Sequence, residues 1–380
     1  MTEIHGTYDD RFQPLVDELA RRMDAGDEVG ASLAVVQDGR LVVDVWGGHA
    51  DAGRTTPWVE DTVTNVWSCT KTVTALAALV LHDRGLLDVY EKVAAYWPEF
   101  AANGKADVEV RHLLAHTSGV AAMDPPCVVD DLFDSRRAAE RFAAQAPWWE
   151  PGTASGYHAM NYGHLVGEVV RRVTGQTLKE FVAAEIAGPL GADFTIGLPH
   201  DAYDRVSDII APIGVEMPAG VEPGPLAMQT LGGPPLHARV ALTDAWRSAD
   251  IGGANGHGNA RSLAMIQSAV SHDGIAVGGH KLLGPETIEL VFDEQVAGRD
   301  LVLGAPLRWG IGYALVDRAT QPYLPDGRIC HWGGWGGSYV VNDLDRRVTA
   351  TYAMNRMSNG LLGSRRGEGY LRAVYACLDA

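Results

Sequence analysis

Apolar residues near the start of the chain recur at helical spacing. Phe12, Leu15, Val16 and Leu19 fall on one face of a 3.6-residue repeat and predict a helix over about Tyr8 to Met23. The next stretch, ASLAVVQDGRLVVDVWGG, reads as two strands joined at Asp38-Gly39, a pair suited to the positive φ angles of a tight hairpin. From Ser68 to Arg84 the pattern SCTKTVTALAALVLHDR is helical again, and Gly85 is placed to stop it. Between about Asp88 and Gln267, helical pieces such as Asn161 to Val173 and Leu178 to Glu185 alternate with long Pro/Gly-rich loops. RWGIGYALVD, RICHWGGWGGSYVVND and RRVTATYAMN then read as successive strands, followed by a helix from about Gly367 to Leu378. Strand-rich ends around a helix-rich middle predict an α+β fold. A discontinuous α/β domain, residues 1–67 and 285–380, would host a mostly helical domain, residues 68–284. No internal repeat or low-complexity tract interrupts this order.

Charge and cysteine usage narrow the function classes. A formal charge of −17 over 380 residues argues against nucleic acid and anionic membrane as partners, because an acidic surface repels phosphate. The four cysteines, Cys69, Cys127, Cys330 and Cys377, show no C-x-x-C spacing, so neither a zinc knuckle nor a disulfide framework is expected. His112 and His116 stand four apart, but Leu-Leu-Ala lies between them, without the glutamate of H-E-x-x-H, and no metal site is predicted. The first residues, MTEIHGTYDDRF, lack the basic start and apolar core of a signal peptide, and no apolar run is long enough to span a bilayer. The expectation is a soluble, cytoplasmic protein.

The candidate chemistry sits at the head of the second helix, in WSCTK. Residues three apart share a helical face, so Ser68 and Lys71 can meet, and unpaired N–H groups at a helix start favour a developing negative charge. A lysine whose pKa is lowered by burial can act as base toward a hydroxyl. Taken alone, the tetrapeptide more often marks a serine N-cap and a solvated lysine. Cys69 points to a different face and reads as a buried structural thiol, and no serine has the G-x-S-x-G elbow around it.

Two further stretches change the balance: PGTASGYHAMNYGHLVGEVVRRVTG, with Tyr157 before an amphipathic helix, and the glycine-rich HWGGWGGS from His331 to Ser338. In this order the three motifs resemble the serine β-lactamase and penicillin-binding-protein superfamily, in its class C-like members. VWSCTK, RHLLAHTSGV and GYHAMNYGHLVGEVVRRVTG look most like the family VIII carboxylesterases. The resemblance implies a class C β-lactamase-like fold, an antiparallel sheet flanked by helices plus a mostly helical domain, with the active site between them. It assigns Ser68 as nucleophile and Lys71 and Tyr157 as its proton-transfer partners. A phenol is a poor base at neutral pH, so Tyr157 needs positive charge nearby and forms one coupled unit with Lys71. Trp332-Gly333-Gly334 matches the W-G-G that these esterases carry in place of K-T-G, although a register with His331 in first position is open. The N–H of Trp335 would join that of Ser68 as oxyanion hole.

Two departures from the class C pattern bear on substrate. Ala159 stands where those enzymes carry the asparagine of Tyr-x-Asn, with Asn161 as the nearest substitute, and a neutral Trp332 or His331 replaces the cationic lysine. A neutral, partly aromatic wall favours an uncharged ester. His112, His116, His158 and His164 are expected to position loops. The implied activity is hydrolysis of short-chain carboxylic esters through an acyl-enzyme, with no cofactor, a small-molecule ester as partner and homo-oligomerisation left open. The alternatives are a β-lactamase, D-amino peptidase or acyltransferase using the same acyl-enzyme, and a non-catalytic binding protein on the same fold.

Overall fold

The computed structural model describes residues 2–214, 216–217, 222–234 and 236–380. In chain order the strands are β1 (Ile4–Tyr8), β2 (Gly30–Gln37), β3 (Arg40–Gly48), β4 (Thr64–Asn65), β5 (Thr195–Ile196), β6 (Gly256–Gly258), β7 (Val296–Arg299), β8 (Pro306–Trp309), β9 (Ala314–Leu315), β10 (Ile329–Gly333), β11 (Tyr339–Asp343) and β12 (Val348–Met354). The helices that frame the site are α1 (Gln13–Asp24), α2 (Thr70–Asp83), α3 (Ser135–Ala144), α4 (Tyr162–Thr174), α5 (Pro225–Gly232), α6 (Ala260–Ser271) and α7 (Arg365–Asp379).

Nine strands form one antiparallel sheet in the order β1-β3-β2-β12-β11-β10-β9-β8-β7. Within it the pairing of β2 with β12 joins the two ends of the chain, residues Ala31 to Gln37 lying against Val348 to Met354. The hairpin expected at Asp38-Gly39 is present, with φ of 49° and 72° at the two turn residues. A second, three-stranded sheet, β4-β6-β5, ties the segment before α2 to the loop before α6.

Each face of the large sheet is covered by helices. On one side α1 and α7 bury Phe12, Leu19, Tyr370 and Val374 against Val35, Val341 and Tyr352. On the other, α6 lies along β2 and β12 and, with α2, buries Leu263, Ile266 and Leu79 against Ala34, Val36 and Val340. α2 is buried at every position from Thr70 to Leu81. A helix enclosed on all sides has no solvated stripe on which to place polar groups. Its threonines therefore turn their hydroxyls to nearby carbonyls, Thr70 to Trp67, Thr72 to Cys69 and Thr74 to Gly252.

Some elements differ from expectation. The first strand, β1, occupies Ile4–Tyr8, and the predicted helix begins after it, at Gln13. Only the ends of β1 are partly buried and Gly6, at φ 108°, is pressed onto the Asp44 carbonyl, so the segment carries no apolar alternation. RWGIGYALVD is not one strand: Gly310 to Tyr313 break it into β8 and β9, with Gly312 at φ 88°. Within the stretch read as helical pieces alternating with long loops, residues 123–146 contain α3 and residues 209–247 contain α5; residues 215, 218–221 and 235 lie outside the described residues.

Candidate active site

Ser68 lies in the turn that leads into α2, two residues before its first helical residue, and its side chain does not cap the helix. That turn is held in a fixed shape. Trp67 adopts a positive φ of 50°, bridges to Asn255, and packs its ring on Trp246 and Trp335. Among the described residues neither the Ser68 nor the Trp335 backbone N–H finds an acceptor, and both residues line the same cavity. Gly334 is what lets the two approach. A Cβ there would fall 2.3 Å from the Val66 carbonyl and 2.2 Å from Ser338 Oγ, so the turn after β10 can rest directly on the turn before α2.

At the second residue of α2, Lys71 is enclosed, with 2% of its surface exposed. Its Nζ stands 3.1 Å from Ser68 Oγ and donates to the carbonyls of Ala159 at 2.7 Å and Gly253 at 2.6 Å. No carboxylate pairs with it among the described residues, and burial holds its pKa well below the usual lysine value. A neutral amine has two N–H bonds and one lone pair. Two carbonyls use the former, which leaves the lone pair for the serine hydroxyl.

Tyr157 completes the group. Burial pushes its phenol up, while polar contact with Ser68 and the hydrogen bond from Trp332 pull the other way. Trp332 Nε1 donates to Tyr157 Oη at 3.0 Å. In the resting protein burial favours the neutral form of both groups, Lys71 and Tyr157. The tyrosine ring is clamped by aromatic neighbours: it stacks on Trp309 at 6.3 Å with 10° between planes, and the His116 ring lies 5.0 Å away. Its backbone N–H donates to Asp300 Oδ1, which also receives the N–H groups of Val302 and Leu303.

Strand alternation sends the side chains of His331 and Trp332 to opposite faces of β10. Trp332 points to the face that holds Tyr157, as does Cys330 two residues earlier toward α2, while His331 points to the opposite face with Ile329. His331 still lines the cavity, from its far side, so Trp332 takes the position next to the tyrosine. Gly333 lines the cavity, and Ala159 contributes its carbonyl to Lys71. Asn161 also lines it, donating its amide to the Val120 carbonyl while Oδ1 has no partner among the described residues. Cys69 turns its thiol to Ser338 Oγ at 3.6 Å and is pushed up to about 12 by burial, which disfavours a reactive thiolate next to Ser68.

The histidines do position loops. His116 Nδ1 accepts the His158 N–H, His158 bridges Ser118 Oγ and the Gly156 carbonyl, and His164 Nε2 bonds the Leu132 carbonyl. His112 caps its own helix by accepting the Glu109 N–H. The cavity itself measures about 210 Å³ and is walled near Ser68 by Met123, Phe142, Leu231 and Leu236; Glu368 is the only charged residue among those that line it.

Three residues of this site have no motif of their own: Asp300, Trp309 and Gly253, whose carbonyl holds Lys71. Only the glycine pair Gly252-Gly253 carried a signal, since a Cβ at Gly253 would meet the Met160 carbonyl at 2.7 Å.

Comparison with known proteins agrees with this geometry. The Beta-lactamase family profile matches residues 15–373. The chain is 35% identical over 373 residues to the esterase/beta-lactamase LipL of Mycobacterium tuberculosis, covering 94% of this chain and 84% of that one. It is 29% identical to esterase EstB of Burkholderia gladioli, covering 85% and 87% respectively. Among solved structures, a family VIII carboxylesterase superposes with a TM-score of 0.92 at 39% identity, covering 99% of this chain and 100% of that one. The chain belongs to the beta-lactamase family, on its family VIII carboxylesterase side, and is a serine hydrolase.

Proposed function

We propose that this enzyme hydrolyses short, uncharged carboxylic esters through an acyl-enzyme on Ser68. The observation that carries the reading is the environment of Lys71, a buried amine with two carbonyl acceptors, no acid partner, and Ser68 Oγ at 3.1 Å. In the first half-reaction Ser68 Oγ passes its proton to Lys71 Nζ and bonds to the ester carbonyl carbon. The oxyanion takes hydrogen bonds from the N–H groups of Ser68 and Trp335. As the tetrahedral intermediate collapses, the bond to the alcohol oxygen breaks and Tyr157 Oη protonates that oxygen. The acyl-enzyme is left with an ammonium at Lys71 and a phenolate at Tyr157, with the lysine nitrogen 4.8 Å from the centre of the tyrosine ring. In the second half-reaction a water molecule gives one proton to Tyr157 and adds to the acyl carbon, and Lys71 returns its proton to Ser68 Oγ as the acid departs. Each group ends as it began.

Cavity chemistry supports the substrate class. Neither lysine nor arginine is among the lining residues, so a substrate carboxylate, as in a β-lactam or a peptide C-terminus, has no counter-charge there. A volume of about 210 Å³ suits a small ester. Four unbridged cysteines support the expectation of a reducing, cytoplasmic compartment. The test sets p-nitrophenyl acetate against nitrocefin: ester turnover should exceed β-lactam turnover, and the reverse order would replace this reading with a β-lactamase.

A further inference from the structure

The cavity does not end at Ser68. From Trp332 its wall continues past Gly333, Gly337 and Gly363 to a rear lobe on the other face of the sheet, where His331, Tyr339, Tyr323 and Leu371 line it. Two polar atoms in this lobe lack partners among the described residues, His331 Nε2 and Tyr339 Oη, in side chains that are 8% and 7% exposed. They are close neighbours by register. His331 lies opposite Val341 and Tyr339 opposite Gly333, which puts the two side chains diagonally across one face of the β10–β11 pair. Gly333 occupies the corner between them and carries no side chain to fill it. Leaving buried polar groups unmet is costly, so such a pair implies something that meets them.

The chemistry of the lobe narrows what that is. Burial pushes the His331 ring down to about 4, so near neutral pH it is uncharged and Nε2 can serve as an acceptor. Tyr339 Oη can both donate and accept. An anion would find no lysine or arginine on the lining, and the one carboxylate at the rim, Glu368, is held by Arg372 at 2.8 Å. We propose that the rear lobe binds an uncharged hydroxyl of the substrate, remote from the scissile carbonyl, which donates to His331 Nε2 and accepts from Tyr339 Oη. The preferred substrates are then hydroxylated esters; this rests on the ester reading above.

Matched esters test it. One series takes p-nitrophenyl esters from propionate to decanoate, with and without a terminal hydroxyl on the acyl chain. A second takes acetates of plain alcohols against monoacetates of the corresponding diols. In one series and at one chain length, the hydroxyl should raise kcat/KM about tenfold, and that ratio should fall toward one in Tyr339→Phe and in His331→Leu. A ratio near one at every length in both series of the unmodified enzyme overturns the proposal, as does a preference that survives both variants. Should no ester be turned over, the ester reading itself fails. The lobe is then read by calorimetric titration of Ser68→Ala protein with the methyl esters of the same acids: tighter binding of the hydroxylated partner supports the subsite, and equal binding removes it.

Discussion

In the proposed mechanism Lys71 is the residue on which the chemistry turns, because a protonated lysine cannot take the serine proton. Burial lowers its pKa from the ordinary 10.5 and raises that of Tyr157 from 10.0. The active form, free amine with intact phenol, therefore exists above the lowered lysine value and below the raised tyrosine value. A profile of kcat/KM against pH should show a plateau through the neutral and mildly alkaline range, with activity lost as acid protonates Lys71; an acid limb near the usual lysine value would contradict this. Tyr157→Phe keeps the ring on Trp309 and removes the proton carrier, and should lower kcat by about 10²-fold or more with little change in KM. Near-intact turnover would reduce Tyr157 to packing. Ser68, Lys71 and Tyr157 were legible because S-x-x-K fixes its own spacing and the tyrosine stands before a periodic helix. Asp300 was not: it is one of 48 acidic residues, and only the fold brings its carboxylate to the Tyr157 N–H.

At the scale of elements, the site depends on how closely α4 and the loop before α6 approach each other. A Cβ at Gly163 would lie 2.3 Å from backbone atoms of Gly252 and Gly253, the segment whose carbonyl holds Lys71. Gly163→Ala must push that loop away, and a stability loss of about 1–3 kcal/mol in denaturant melts is expected, with activity falling further than stability. Full activity at unchanged stability would show that the loop has room to spare. The helices and hairpin around the site were legible from period and turn residues, and the C′ role of Gly85, at φ 68°, was as the pattern predicts. The strands next to it were harder to read. RWGIGYALVD continues the apolar pattern through a bend that glycine makes, and alternation alone cannot say whether His331 or Trp332 faces the serine until β10 has a neighbour on each side.

Across the whole molecule, the two ends of the chain build the sheet together and are locked by a buried charge pair. Glu28, just before β2, receives Arg366 of α7 at 2.7 Å and the hydroxyls of Tyr352 and Tyr370. Arg366→Met leaves Glu28 buried without its counter-charge and should cost about 3–5 kcal/mol of stability by chemical denaturation; a change within error would mean the pair is not needed. The strand-rich ends and helix-rich middle indicated an α+β molecule, but nothing local in sequence pairs residue 28 with residue 366. The most direct test of the account is to locate the covalent intermediate. After reaction with a p-nitrophenyl alkylphosphonate, peptide mass spectrometry should find the adduct on Ser68 alone, and Ser68→Ala protein should remain unlabelled. An adduct on any other residue, or labelling that persists in that variant, would contradict the assignment of Ser68 as nucleophile.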